Sequence, residues 1–328
     1  MKKTTLFVLL ASVTLCFTWS CAPTNKATNE TTDEQTEVTN DGRFSTRTYT
    51  LGDFTNIQVD NVVKVIYTQG DDYKVQLMGR TDWLDLMEVT SVGGLLKVHA
   101  TSTKKFQNVK SKDQPDGEHN FILYLTAPCL QNINLSGVSC FESQRLASDW
   151  LSVRLEGVSK FNVDAIECTS LHLGLGGVSR VNAGSFTCQK FEADIEGSSK
   201  AEIQHIKAKE VGFSINGASK VNLPDVSQGE KATFNVGGAS KLTLTADVSE
   251  LLQIGLSGAS KGELTYKGGN LRSFCTGVSK LNAEVNCKGI NASCDGASKT
   301  SFSGTADKVE IDRNGVAANI NTSRLNQH

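Results

Sequence analysis

The sequence predicts an all-β protein: a parallel β-helix of about ten coils of ~20 residues each, preceded by an N-terminal β-rich cap region. Three observations predict it. A signature, Gly-(Val/Ala/Ser)-Ser-(Lys/Arg), recurs from Gly137, Gly157, Gly177, Gly197, Gly217, Gly238, Gly258, Gly277, Gly296 and Gly315, in steps of 20, 20, 20, 20, 21, 20, 19, 19 and 19 residues. Fixed periods of this length mark solenoids, whose units bury their apolar sides only against their neighbours. Around each signature the apolar residues fall into columns of period two, the pattern of strands. The 29 Gly and 7% aromatic residues suit stacked turns better than a helical core.

The chain has 328 residues and a formal net charge of -2, which gives no bulk attraction to nucleic acid. Residues 1–20 carry Lys2 and Lys3, then an apolar run from Leu6 to Leu15, the layout of a secretory signal. Ser20 followed by Cys21 is how bacterial lipoprotein signals end, although Thr18 is a poor match to the usual apolar position there. Cys21 is therefore expected to be the lipidated N-terminus, holding the protein in the cell envelope, at the outer membrane. Plain secretion with cleavage nearby is the alternative. Residues 21–43, rich in Thr, Asn and Glu, read as a disordered tether. No other segment has the length and apolarity to span a membrane.

Residues 44–128 form the N-terminal β-strand region. Ile57 and Val59, then Val63, Val65 and Tyr67, then Tyr73, Val75 and Leu77 alternate, with Gly70-Asp71-Asp72 between the last two runs. Such runs read as half-buried strands joined by hairpin turns. Residues 82–89 read as one helical turn, and residues 101–118, with Lys104, Lys105, Lys110 and Lys112, as an exposed loop.

Residues 129–322 are the repeats, followed by a polar tail, 323–328. Two places before the signature Gly stand Leu135, Leu155, Leu175, Ile195, Ile215, Val236, Leu256, Cys275 and Cys294. Apolar columns also stand four and six places before it, from Ile133 and from Leu151, making one inward-facing strand per repeat. A second strand follows, with Phe161, Val181, Val221, Leu242 and Leu281 four places on, and Val163, Ile203, Leu223 and Leu264 six places on. A third inward column, Leu146, Ile166, Phe186, Ile206 and Val226, fades in the later copies. The crossover preference of parallel strands favours a right-handed coil. The Gly implies a positive φ or close approach of the next coil, and the Ser a hydrogen bond to local backbone.

The stretch Ala127-Pro128-Cys129-Leu130, with Ile133, Leu135-Ser136-Gly137-Val138-Ser139 and the iterated Gly-Ala-Ser-Lys, resembles the putative auto-transporter adhesin head GIN domain family. Phe54 to Ile57, Val65, Gln69-Gly70, Val75 and Gly94 to Val98 also resemble its N-terminal part, so the likeness spans about residues 44–320. The resemblance implies a β-helical envelope protein, commonly a lipoprotein of the Bacteroidetes type. It implies no catalytic residues.

The strongest candidate for function is a cation column: Lys160, Arg180, Lys200, Lys220, Lys241, Lys261, Lys280 and Lys299, with Cys140 and Ala318 in its place at the ends. Neighbouring charges ~4.8 Å apart repel by about 0.9 kcal/mol in water, before salt screening. A ladder of this kind can bind an anionic glycan or lipopolysaccharide phosphates. Its bland counterpart is solubility, with the stems covering apolar surface and the ammonium groups in water. Glu156, Glu196, Glu202, Glu263 and Asp295 are the acids near enough to neutralise part of it. Asn162, Asn182, Asn222 and Asn282 share an outward column, where stacked amides can bond between coils. Cys168 with Cys188, and Cys275 with Cys294, share columns and read as thiol ladders rather than disulfides.

Glu192, Asp194, Glu196 and His172 form the best carboxylate constellation for a polysaccharide lyase or hydrolase, the competing reading. No nucleotide loop, zinc-ligand spacing or nucleophile motif appears, so neither cofactor nor metal is expected. The sequence therefore points to a non-catalytic envelope protein, adhesin-like or scaffolding, presenting a repetitive surface to a glycan or an envelope protein. Self-association through exposed coil edges is a third reading.

Overall fold

In the computed structural model, which describes residues 34–38, 42–102, 106, 109–315 and 317–327, nineteen strands form one continuous sheet coiled into a parallel β-solenoid of about 10 turns. The expected signal 1–20, Cys21, Lys104 and Lys105 lie outside these residues.

The N-terminal strands are β1 (Glu34–Val38), β2 (Phe44–Tyr49), β3 (Asn56–Val59), β4 (Val63–Gln69), β5 (Lys74–Arg80), β6 (Met87–Val92), β7 (Leu95–Ala100), β8 (Phe121–Ala127) and β9 (Asn132–Leu135). Each coil thereafter is one long bent strand: β10 (Cys140–Leu155), β11 (Lys160–Leu175), β12 (Arg180–Ile195), β13 (Lys200–Ile215), β14 (Lys220–Val236), β15 (Lys241–Leu256), β16 (Lys261–Cys275), β17 (Lys280–Asp295) and β18 (Lys299–Asn314). The short β19 (Asn319–Gln327) closes the array. From β10 to β19 every coil pairs in parallel with the next.

The signature explains why the coils stack. Nine of the ten glycines, Gly137 to Gly296, have positive φ between 66° and 80°. Each also lies on its predecessor: a Cβ at Gly197 would stand 2.3 Å from the carbonyl oxygen of Gly177. Both reasons for glycine thus hold at once. The signature Ser is buried in every coil from Ser139 to Ser298. Its hydroxyl donates to the carbonyl three residues back in several coils, Ser159 to Glu156 and Ser179 to Gly176, both at 2.7 Å. This hydrogen bond closes the turn that the glycine opens. Among the described residues the hydroxyls of Ser199 and Ser260 have no hydrogen-bond partner.

The apolar columns are the core. Leu135 through Cys294, two places before the glycine, are buried in every coil. Phenylalanines stack within the columns, Phe141 on Phe161 at 5.1 Å and Phe213 on Phe234 at 5.2 Å between ring centroids. The third inward column does not fade as the sequence suggests. It shifts by one residue, with Val226 in register with Ala246, Ala246 with Tyr266 and Tyr266 with Val285. The later coils continue strict alternation past the second strand, as in Leu242, Leu244, Ala246 and Val248, and the corner that breaks alternation in earlier coils is absent.

Residues 44–128 are arranged differently from the expected hairpins. β3 lies in parallel between β7 and β9, and β4 in parallel between β8 and β10. The pair β3–β4 is therefore a further coil of the solenoid, and β7–β8 another beyond it. Although Gly70-Asp71-Asp72 joins β4 to β5, the two are not partners, because β8 is inserted between them. β5, β2 and β1 add to this end in antiparallel fashion. β1 lies within the expected tether 21–43. β6 and β7 form a true two-residue hairpin at Gly93-Gly94, with φ of 58° and 78°. The expected helical turn is a single 3-10 turn, Leu84–Leu86.

Candidate functional site

The eight cations of the column stand in register across the coils, from Lys160 opposite Arg180 to Lys280 opposite Lys299. Their position follows from the turn: the signature Ser points inward, so the next side chain points out. The column is longer than the sequence suggests. Cys140 pairs with Lys64, which adds a ninth cation. Asn61-Val62-Val63-Lys64 is a disguised copy of the signature. Asn61 has φ 82° and takes the place of the glycine, lying directly beneath Gly137. At the other end Asn319, not Ala318, stands opposite Lys299, because Gly315 lacks the positive φ and the last turn is one residue longer.

Neutralisation along the column is uneven. Lys64 pairs with Glu142 at 2.9 Å, and Lys200 with Glu202 at 2.7 Å. Lys160 lies 3.9 Å from Glu118, an acid on the long loop after β7 that spacing could not connect to it. Glu202 is held below the usual carboxylate range by its hydrogen bond from Lys200, with Lys220 and Arg180 adding their fields. Beyond it, Lys220, Lys241, Lys261, Lys280 and Lys299 have no carboxylate within 4.0 Å among the described residues. Of the other expected acids, Glu263 accepts the amide of Asn282 at 3.2 Å and Asp295 accepts the Gly296 amide at 2.6 Å.

Beside the cations runs the outward column Asn162, Asn182, Glu202, Asn222, Thr243, Glu263, Asn282 and Ser301, in register throughout. The Asn182 amide donates to the Asn162 carbonyl at 2.9 Å, so stacked amides do bond between coils. Asn162, Asp164, Asn182, Gly184, Glu202 and Gln204 line a shallow groove of about 360 Å³ on this face. Gly184 belongs there because a Cβ would lie 2.4 Å from the Asp164 carbonyl oxygen. On the other side of the cations the second signature residues form an exposed apolar rib, with Val138, Val158, Val178 and Val278 46%, 48%, 57% and 69% exposed. Rib, cations and amides make one face.

The carboxylate constellation is assembled otherwise than catalysis asks. His172 faces Glu192 across the coils but its ring lies 3.9 Å from Asp194, while Glu192 pairs with Lys190 at 2.6 Å. All are solvated, and none lines the groove. Among the described residues no three His, Cys, Asp or Glu side chains gather as a metal site. Cys168, Cys188, Cys275 and Cys294 are free thiols, with Cys275 in register with Cys294. A larger depression of about 520 Å³ on the cap is crossed by the Arg80–Asp82 and Arg80–Asp113 ion pairs.

A family model described as "Putative auto-transporter adhesin, head GIN domain" matches residues 53–247, more than half of the chain. The chain belongs to that family. Three solved structures are among those that match the chain. A "putative lipid binding protein" of Parabacteroides distasonis is 13% identical, with TM-score 0.55, covering 83% of this chain and 97% of that one. A "putative adhesin" of the same species is 16% identical, with TM-score 0.49, covering 87% and 98%. A "putative adhesin" of Bacteroides fragilis is 17% identical, with TM-score 0.43, covering 85% and 96%. No curated protein matches the sequence. This GIN-domain chain has, among the described residues, no helix long and apolar enough to cross a membrane.

Proposed function

We propose that this protein is a non-catalytic, adhesin-like envelope protein that presents the rib, cation and amide face of its β-solenoid to a glycan. One observation carries the reading: three chemically distinct columns stay in register along the coils, so each coil, apart from that of Ser198, offers an apolar side chain, a cation and a hydrogen-bonding group at a constant step. A sugar ring presents the complementary set, with a C–H face, hydroxyls and, in acidic sugars, an anion. Membership in an adhesin-head family supports the same role. In this reading the chain is held at the outer membrane by lipid on Cys21.

The test is a glycan array probed with the wild-type chain and with an N162A/N182A variant. Binding that weakens in the variant supports the reading. An array without signal, or a signal that changes on this face leave untouched, refutes it. For the anchor, Cys21→Ala is expected to move the protein from the membrane to the soluble fraction; an unchanged distribution sinks that part.

A further inference from the structure

The cation column is not uniform, and its unevenness selects a ligand. Its N-terminal half, Arg180 excepted, is shared with acids: Glu142 on Lys64, Glu118 near Lys160, and Glu202 on Lys200. Its C-terminal half is not. From Lys220 to Lys299 five cations stand one per coil with no carboxylate within 4.0 Å among the described residues. Self-repulsion in that stretch is left in place by the fold, where a single acid per coil would have removed it.

Resting on the glycan reading above, we infer that Lys220, Lys241, Lys261, Lys280 and Lys299 seat a linear acidic polysaccharide that lies along the solenoid axis with one sugar unit per coil. Three features support it. Coils repeat every ~4.8 Å, the strand spacing, which is close to the advance of one pyranose ring in an extended chain, so the polymer keeps step with the coils and the uronates that turn toward the solenoid meet lysines. Asn222, Thr243, Asn282 and Ser301 flank the lysines at the same step and offer hydrogen bonds to ring hydroxyls. On the other flank Ala218, Ala239, Ala259, Val278 and Ala297 are exposed and give each ring an apolar strip for its C–H face.

A bilayer of anionic lipid would also meet the lysines. The rib argues against it: surface insertion uses Trp, Phe or Leu, and four of the five rib residues here are alanines. The lysines of this half are exposed, so substituting them leaves the core intact. The one carboxylate in the flanking column, Glu263, is engaged by Asn282, and Glu284 stands further out on the same face.

The experiment titrates the full chain with oligogalacturonates of two to eight units, with their methyl-esterified counterparts, and with vesicles of phosphatidylglycerol and phosphatidylcholine. Affinity is expected to rise with length to about five units and then level off, and to weaken as salt is added. K241Q/K261Q/K280Q/K299Q is expected to lose roughly fortyfold, about 2.5-fold for each exposed pair. K160Q/K200Q, whose lysines already face Glu118 and Glu202, is expected to lose less than about threefold. Circular dichroism of both variants should match wild type. Equal binding of the methyl esters, affinity independent of length, or binding to vesicles alone overturns the inference. If neutral glycans bind this face on the array while oligogalacturonates do not, the acidic ligand falls and the glycan reading stands; if no glycan of either kind binds, both fall.

Discussion

Gly217→Ala tests the physical basis of the stack. Gly217 has φ +80°, and a Cβ there would stand 2.2 Å from the carbonyl oxygen and 3.0 Å from the nitrogen of Gly197 in the coil below. The left-handed conformation costs an alanine about 1–2 kcal/mol. Relieving the overlap requires the coils to part by about 1 Å at this corner, since ordinary contacts begin near 3.4 Å. That opening stretches the bond from the Ala218 amide to the Gly197 carbonyl, now 2.8 Å, and strains those from Asn216 and Lys220. One or two lost bonds add about 1–2 kcal/mol. The sum, about 2–4 kcal/mol, corresponds to a thirtyfold to several-hundredfold rise in local opening. Because long repeat arrays need not unfold as one unit, hydrogen exchange read by mass spectrometry is the assay, with faster exchange expected in peptides covering residues 195–220. Gly212→Ala is the control, with no positive φ and nothing nearer than 3.7 Å, and is expected to change protection little. If G217A exchanges like wild type or like G212A, the close approach of glycine to glycine is not what requires the residue.

Ser159→Ala removes the bond to the Glu156 carbonyl and leaves that carbonyl short of a partner, so a loss of about 1 kcal/mol of local stability, read as about fivefold faster hydrogen exchange around this turn, is expected; no change would mean the hydroxyl is incidental to the turn. Burial tends to raise the Asp116 carboxyl, but the amides of His119 and Glu118 and the His119 ring outweigh it and hold the group below the usual range. A depressed carboxylate stabilises the fold above its unfolded pKa and loses that contribution as pH falls through the folded value. Asp116→Asn should therefore lower thermal stability at pH 7 and converge with wild type in acid; a difference that persists unchanged to low pH contradicts it. Burial pushes the Cys140 and Cys287 thiols up to about 11 each, so alkylation by iodoacetamide at pH 8 should be on the order of a hundredfold slower than for a free cysteine peptide. Labelling at the peptide's rate would show these sites open.

The solenoid was legible because its determinants are local and repeated. Glycine, serine and the apolar columns each answer one backbone requirement, and ten copies make the requirement visible. The coil built from β3 and β4 escaped because its copy is degenerate: Asn61 replaces the glycine through its tolerance of positive φ, and Val63 replaces the serine. A signal was present, since Ile57, Val59, Val65 and Tyr67 stand four and two before and four and six after Asn61, the spacing of the later columns. The insertion of β8 between β4 and β5 had no such signal, because strand partnering is a non-local choice that alternation does not encode. The cations themselves were legible, and so was Glu202 as a neutralising acid; the partners of Lys64 and Lys160 were not. Glu118 comes to Lys160 from a loop forty-two positions earlier in the chain, a proximity only the fold creates.

The interleaving of β3–β4 between β7–β8 and β9–β10 has a mechanical meaning. In a solenoid wound strictly in sequence, a force on one terminus meets the outermost coil first and peels it from a single neighbour, rank by rank. Here a force applied at the N-terminal side strips β1 and β2 and then loads a coil flanked on both edges by strands that come later in the chain. Two rows of hydrogen bonds must yield together before the array begins to unwind. The end nearest the N-terminus thus works as a clasp, which lets tension be carried by the whole stack instead of unravelling it.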